Sequence, residues 1–180
     1  FIETEGLPER ERSDMGQFIA QLHKQKTRIY TQAVIEGMAE LRPGVRELIS
    51  AAGEAGVRLA IATTTSLPNV DALLQAAYNG SRNGIFEAIC AGDSVAAKKP
   101  APDIYLDALR QLDLPPDACL AIEDSRNGLM SAFKAGISTI VTPGIYTEGQ
   151  DFSEAELVVP DLNSVAIAEL LSGRLTHESR

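Results

Sequence analysis

The sequence predicts an α/β domain in which a mainly parallel sheet lies between helices. Short apolar runs alternate with amphipathic stretches of about ten residues, the pattern of repeated strand–helix units. Runs such as 88–91 and 118–122 are apolar throughout, as expected of strands covered on both faces. A Pro-Gly pair at 43–44 separates this pattern from an N-terminal stretch of purely helical spacing.

The 180 residues suffice for one core with a small appendage, and 44% hydrophobic with 23% charged residues is a globular composition. No apolar run has the length of a membrane span and no signal peptide opens the chain, so a cytoplasmic location is expected. The net charge of -9 argues against nucleic acid as a partner, because such binding needs a basic footprint. A small phosphorylated substrate remains compatible, since a bound divalent cation inverts the local field. Cys90 and Cys119 sit in short apolar runs without CxxC spacing or a nearby histidine, and read as buried free thiols.

Residues 1 to about 40 keep helical spacing, with Met15, Phe18, Ile19 and Leu22 followed by Ile29, Tyr30, Ala33 and Val34. Asp14 and Gln17 have the spacing of a capping box. Between the two apolar groups runs His23-Lys24-Gln25-Lys26-Thr27-Arg28, either a solvated face or a cationic patch for a phosphorylated ligand. After the Pro-Gly boundary come a helix over 45–55 closed by Gly56, a strand over 57–62, and a helix over 69–77. A polar loop over 79–84 leads to the strand at 88–91, and Pro102 opens a helix whose apolar face is Tyr105, Ala108, Leu109 and Leu112. A strand ending at Ile122, a helix over 128–135, strands at 139–141 and 157–159 and a helix over 164–171 complete the pattern, with 173–180 frayed.

Three polar groups follow strands and should share one edge of the sheet, where open α/β sheets bind ligands. Thr63 follows the 57–62 strand; its hydroxyl either bonds a phosphoryl oxygen or joins Thr64, Thr65 and Ser66 in capping the next helix. Lys98-Lys99-Pro100 follows the 88–91 strand and is either a solvated surface or a cation aimed at a phosphoryl group. Glu123-Asp124 ends the apolar run 120–122, and two acids there are either structural or ligands for a hard cation such as Mg²⁺.

In that order and spacing the three groups resemble the haloacid dehalogenase superfamily of phosphotransferases. Thr63 matches its second motif, Lys99 its third and Glu123-Asp124 its fourth. The segments 98–105 and 123–128 look like the β-phosphoglucomutase and phosphoglycolate-phosphatase branch. Residues 62–66 with Asn69, and Val141-Thr142-Pro143 with Tyr146-Thr147 and Asp151-Phe152, look most like CbbY-type sugar-bisphosphate phosphatases. The resemblance implies a Rossmann-like three-layer core, 42–180, beside the C-terminal part of a helical cap, 1–41. It implies a Mg²⁺-dependent phosphatase that acts, as a monomer, on a small phosphorylated sugar through an aspartyl-phosphate. Asp124 would be the direct metal ligand and Glu123 a second or water-mediated one. Lys99 and Thr63 would hold the phosphoryl group, and Thr65 and Asn69 would contact substrate. A sugar-phosphate mutase of the same family and a non-catalytic ligand-binding domain are the alternatives. A dinucleotide-binding enzyme is disfavoured, since no GxGxxG follows a strand.

One departure is severe. The family's first motif, Asp-x-Asp-Gly-Thr, occurs nowhere in the chain, which opens on Phe1-Ile2-Glu3 in a helical pattern. The expectation is a core lacking its central first strand, with that strand's neighbours left unpaired at about 1–3 kcal/mol per buried group. Such a fragment should fold poorly by itself and be inactive.

Overall fold

Every strand pairing in the computed structural model is parallel, and the pairings build two sheets among the residues the structure describes, 9–37, 40–78, 84–92 and 94–171. In the first, β1 (Ala60–Ala62) lies beside β2 (Ala88–Cys90), with Ile61 opposite Ile89. In the second, β3 (Leu120–Glu123) pairs with β4 (Ser138–Val141), which pairs with β5 (Leu157–Val158). The helices are α1 (Glu9–Ile35), α2 (Val45–Glu54), α3 (Leu67–Ala77), α4 (Asp103–Leu112), α5 (Arg126–Lys134) and α6 (Ile167–Leu171). None of the described helices is long and apolar enough to cross a membrane.

Burial divides the helices into two layers. Tyr105, Ala108 and Leu109 of α4 and Ala132 of α5 pack with Cys90, Ala121 and Ile137 into one core. Leu48 of α2 and Leu170 of α6 pack with Ile140, Leu120 and Ile122 into another on the opposite face. The period-two alternation of a strand places Ala121 on the first face and Leu120 and Ile122 on the second. Glu123 therefore points toward α4. A trough of about 920 Å³ separates β1 from β3, its walls drawn from both strands and both helix layers.

The expected apolar face of α4 is buried as read, joined by Ile104. Cys90 and Cys119 are free thiols, the first buried and the second half-buried. Desolvation raises the Cys90 thiol to about 12, with Asp107 adding to the shift, so it stays protonated at neutral pH.

Several boundaries differ from the sequence expectation for local reasons. Asp14 lies inside α1 and does not cap its start, because the helix already runs from Glu9. The expected strand start at Val57 belongs to the end of α2, where the Val57 N–H donates to Ala52 O at 2.8 Å. Strand β3 includes Glu123, and α5 begins at Arg126 because Ser125 caps it, its hydroxyl accepting from Gly128 N. The last helix is broken: the Asp161 carboxylate accepts from Asn163 N in a 3-10 turn over Leu162–Ser164, and Val165 is extended before α6. The polar loop at 79–83 and the tail at 173–180 lie outside the described residues.

Two tethers hold the segments around the sheet. Gly44 takes a φ of 81°, and a Cβ there would fall 2.6 Å from Asn163 N, so the α2 entry packs directly on the 162–164 turn. Arg42 donates to Thr142 Oγ1 at 3.0 Å, Pro143 O at 2.9 Å and Pro160 O at 3.1 Å, stitching the linker to the loops after β4 and β5. Helix α1 packs along α3.

A third tether titrates. The Arg126 guanidinium binds the Glu154 carboxylate and donates to Asp151 O at 2.9 Å, joining the start of α5 to the 150–154 loop. Hydrogen bonding from Arg126 lowers Glu154 from 4.5 to about 2. A depressed folded value stabilises the fold above pH 4.5, and that contribution disappears as pH falls toward about 2. Stability measured by urea titration should therefore fall less steeply between pH 5 and pH 3 in Glu154→Gln than in the parent chain; equal slopes would show the pair contributes nothing.

Candidate active site

The carboxyl ends of β1 and β3 meet at one ammonium group. Lys99, whose peptide bond to Pro100 is cis, donates from Nζ to Ala62 O at 2.9 Å and to Glu123 Oε1 at 2.5 Å. Both side chains are nearly covered, at 11% and 7% exposure, so each charge requires the other. The Tyr105 hydroxyl donates to the same Glu123 oxygen, and the Lys99 ammonium lies 5.0 Å from the Tyr105 ring centroid. Burial first, and the Glu123 carboxylate second, raise the phenol well above its ordinary 10.0, which keeps it a donor. The other Glu123 oxygen leaves no room beside Gly128, where a Cβ would fall 1.7 Å away. Glu123 is thus fully engaged from the core side.

A second chain of hydrogen bonds begins at Thr63. Its hydroxyl oxygen accepts from Thr65 N at 3.2 Å, which leaves the proton for another acceptor. The Thr65 hydroxyl oxygen in turn accepts from Asn69 Nδ2 at 2.9 Å, and Thr31 of α1 donates to Asn69 Oδ1 at 3.1 Å. Ser66 occupies the N-cap of α3 but makes no side-chain cap bond, so simple capping does not account for this polar run. Asn69 is buried with its amide engaged at both ends, a geometry that positions Thr65.

Asp124 differs from its neighbour in being exposed. The Thr147 hydroxyl donates to its backbone carbonyl at 2.5 Å and accepts from Gly144 N at 2.8 Å, fixing the chain where β3 turns into α5. No three His, Cys, Asp or Glu side chains cluster closely enough to cage a metal among the described residues. One open carboxylate at a sheet edge fits a hard cation that keeps most of its waters, such as Mg²⁺. Glu123, held by Lys99 and Tyr105, fits only as a neighbour. Lys98 is exposed, as are Lys24 and Lys26 on α1, whereas the side chain of His23 lies outside the described residues.

A split sheet with this set of groups at its carboxyl edge has clear relatives. The family model for haloacid dehalogenase-like hydrolases matches residues 5–136. The chain belongs to that family. Protein CbbY of Rhodobacter capsulatus is 55% identical over 148 residues, covering 82% of this chain and 65% of the relative. Protein CbbY of Cereibacter sphaeroides is 51% identical over 138 residues, covering 77% and 60%. Among solved structures, a mutant of CbbY from Rhodobacter sphaeroides in complex with xylulose-(1,5)-bisphosphate superposes with a TM-score of 0.79 at 48% identity, covering 82% of this chain and 66% of that one. The chain spans less than two thirds of the length of these relatives.

Sequence reasoning placed Tyr105 on a core face and missed its bond to Glu123. The signal was present in the position of a phenol on the buried side of the helix that follows Lys99-Pro100, since a buried hydroxyl needs a partner. Thr147 falls in a segment the resemblance covers, but neither its bond to Asp124 O nor that of Thr31 to Asn69 follows from a local pattern, because each partner lies far along the chain. Replacing Tyr105 by Phe removes a hydrogen bond to a buried charge and should cost about 1.5–3 kcal/mol in urea unfolding. Gly128→Ala forces a Cβ onto the Glu123 carboxylate and should cost about 1–3 kcal/mol in the same measurement; an unchanged midpoint would mean that Glu123 has room to move.

Proposed function

We propose that these residues form the phosphate-holding and cation-holding part of a phosphatase for a small phosphorylated sugar, a sugar bisphosphate of the kind bound in the CbbY complex being the favoured class. The observation that carries this reading is the convergence of Lys99, Thr63 and the Glu123-Asp124 pair on the carboxyl edge of a parallel sheet. High identity to CbbY proteins along most of the chain supports the substrate class.

In this reading each side chain has one task. Thr63 donates its free proton to a phosphoryl oxygen, and the backbone turn at 63–65 helps to frame it. Lys99, held by Ala62 O and Glu123, offers its charge to the same group and restrains the attacking carboxylate. Asp124 would hold Mg²⁺, which when bound neutralises phosphate charge. Glu123 and Tyr105 orient Lys99, and Asn69 and Thr31 orient Thr65. An aspartate oxygen forms the new bond to phosphorus as the bond to the sugar oxygen breaks, a second acid giving that oxygen its proton; the same acid, now a base, takes a proton from the water that cleaves the aspartyl-phosphate to inorganic phosphate and the free carboxylate. No aspartate in the sequence has a second one two positions later, so none of them is assigned the attacking role.

Isothermal titration of the chain with inorganic phosphate tests the reading without turnover. Mg²⁺ should tighten phosphate binding by about fivefold or more, a coupling on the order of 1 kcal/mol. Asp124→Asn should abolish that coupling, and Thr63→Val should weaken phosphate with the coupling retained. Phosphate and Mg²⁺ binding independently of each other would instead favour a non-catalytic domain.

A further inference from the structure

We propose that Thr147 is a positioning residue for the divalent cation: without touching the ion, its hydroxyl fixes the backbone that aims the Asp124 carboxylate. The proposal rests on the reading of Asp124 as the cation's ligand and adds the residue that sets how well that ligand is placed.

The Asp124 carboxylate is exposed and makes no hydrogen bond among the described residues, so its own backbone alone directs it. Two planar peptide groups flank its Cα, and holding both planes fixes the direction of the Cα–Cβ bond. The plane before it is held by the strand pairing, where Glu123 O accepts from Thr142 N at 2.7 Å. The plane after it is held by one side chain, the Thr147 hydroxyl, which donates to Asp124 O at 2.5 Å. That hydroxyl has a second acceptor in reach, Gly144 O at 3.1 Å. Gly144 O is already engaged by the N–H groups of Thr147 at 2.8 Å and Glu148 at 3.1 Å, and Gly144 N donates to the hydroxyl oxygen at 2.8 Å. The single hydroxyl proton therefore goes to Asp124 O, the nearer acceptor.

The turn that carries Thr147 is not docked by burial. Ile145 and Tyr146 at its tip are 78% and 91% exposed, so apolar contact contributes little to holding it in place. Polar grips do so instead. Thr147 holds Asp124, and Gln150 Oε1 accepts at 2.7 Å from the N–H of Arg126, the first residue of α5 and one without an intrahelical partner. Behind the turn, Arg42 anchors Thr142 and Pro143, so Thr147 reaches Asp124 from a fixed base.

The chemistry of the ion makes this placement matter. Mg²⁺ demands near-ideal octahedral geometry with short bonds, whereas Ca²⁺ accepts more oxygens at longer and more variable distances. A carboxylate whose backbone can swing is therefore a worse ligand for Mg²⁺ than for Ca²⁺. A residue that merely stabilised the loop would change stability and leave that preference alone.

Titrations of the 180-residue chain with Mg²⁺ and with Ca²⁺, followed by NMR at the Ser125 amide and the Asp124 carbonyl carbon, test the assignment. Thr147→Val keeps the side-chain shape without the hydroxyl. It should weaken Mg²⁺ by about tenfold, the low end for a group that supports a metal ligand, and Ca²⁺ by about twofold or less. Thr147→Ser retains the hydroxyl and should bind Mg²⁺ within about twofold of the parent chain. Without any cation, the Asp124 carbonyl signal should move in Thr147→Val and stay in Thr147→Ser. The Arg126 amide, held by Gln150, should stay in both, marking a loop that is still docked. The proposal is overturned if Thr147→Val binds Mg²⁺ like the parent, if it weakens both cations equally, or if Thr147→Ser fails to recover binding. It is equally overturned if the Mg²⁺ loss comes with displacement of the Arg126 amide, which would make Thr147 a loop staple only. A parent chain that binds no Mg²⁺, or an Asp124→Asn variant that binds it as the parent does, removes the reading of Asp124 itself; an impaired Asp124→Asn beside an unaffected Thr147→Val removes this inference alone.

Discussion

One ammonium group joins the two half-sheets at their carboxyl edge. Lys99 reaches a carbonyl at the end of β1 and a carboxylate at the end of β3, so a single side chain spans the trough that separates the two. A buried lysine tolerates this position only with its charge met, and the penalty for removing one member of such a pair is about 3–5 kcal/mol. That constraint reaches outward. Glu123 must face α4, Tyr105 must place its hydroxyl on the same oxygen, and Gly128 must lack a side chain so that α5 can begin close by. Strand ends, two helices and the candidate site are in this way fixed by the same local demand.

The two acids that look equivalent in the sequence are separated by strand geometry. Glu123 is the last residue of β3 and lies two positions from buried Ala121, so alternation turns it inward. Asp124 follows the strand and stands exposed, its backbone held by Thr147. In the proposed reading the pair divides the work: Glu123 orients Lys99, and Asp124 stands open to a cation. A symmetrical cluster of two exposed acids would do neither task as well, since each would compete for the same charge.

How much could be read in advance depends on whether a feature is local. The strands, the buried face of α4 and the edge on which Thr63, Lys99 and Asp124 gather follow from hydrophobic period and from the rule that ligands meet strand ends. Asp14 misled because α1 is polar enough to lack a marked start, and a cap-like spacing inside a helix carries no force when the helix begins earlier. The resemblance implies a substrate contact at Asn69, but the hydroxyl that holds its amide belongs to Thr31, 38 residues away on another helix, and only the tertiary fold supplies that partner. The Arg126–Glu154 tether and the grip of Arg42 on the loops after β4 and β5 are non-local in the same sense.

Sheet pairing is the least local property of all. Each strand here has the composition of a covered strand, and nothing in its own residues states whether one neighbour or two will pair with it. The structure answers through partial exposure: Ala60, Ile61 and Ala62 are only half-buried although helices cover both faces of a parallel sheet of this kind. Leu120 and Ile122 are likewise half-buried while the odd-numbered Ala121 and Glu123 between them are buried. Apolar strand residues that remain half-exposed along two facing edges locate unfinished pairing more directly than any composition. The candidate site lies at the mouth of that same trough.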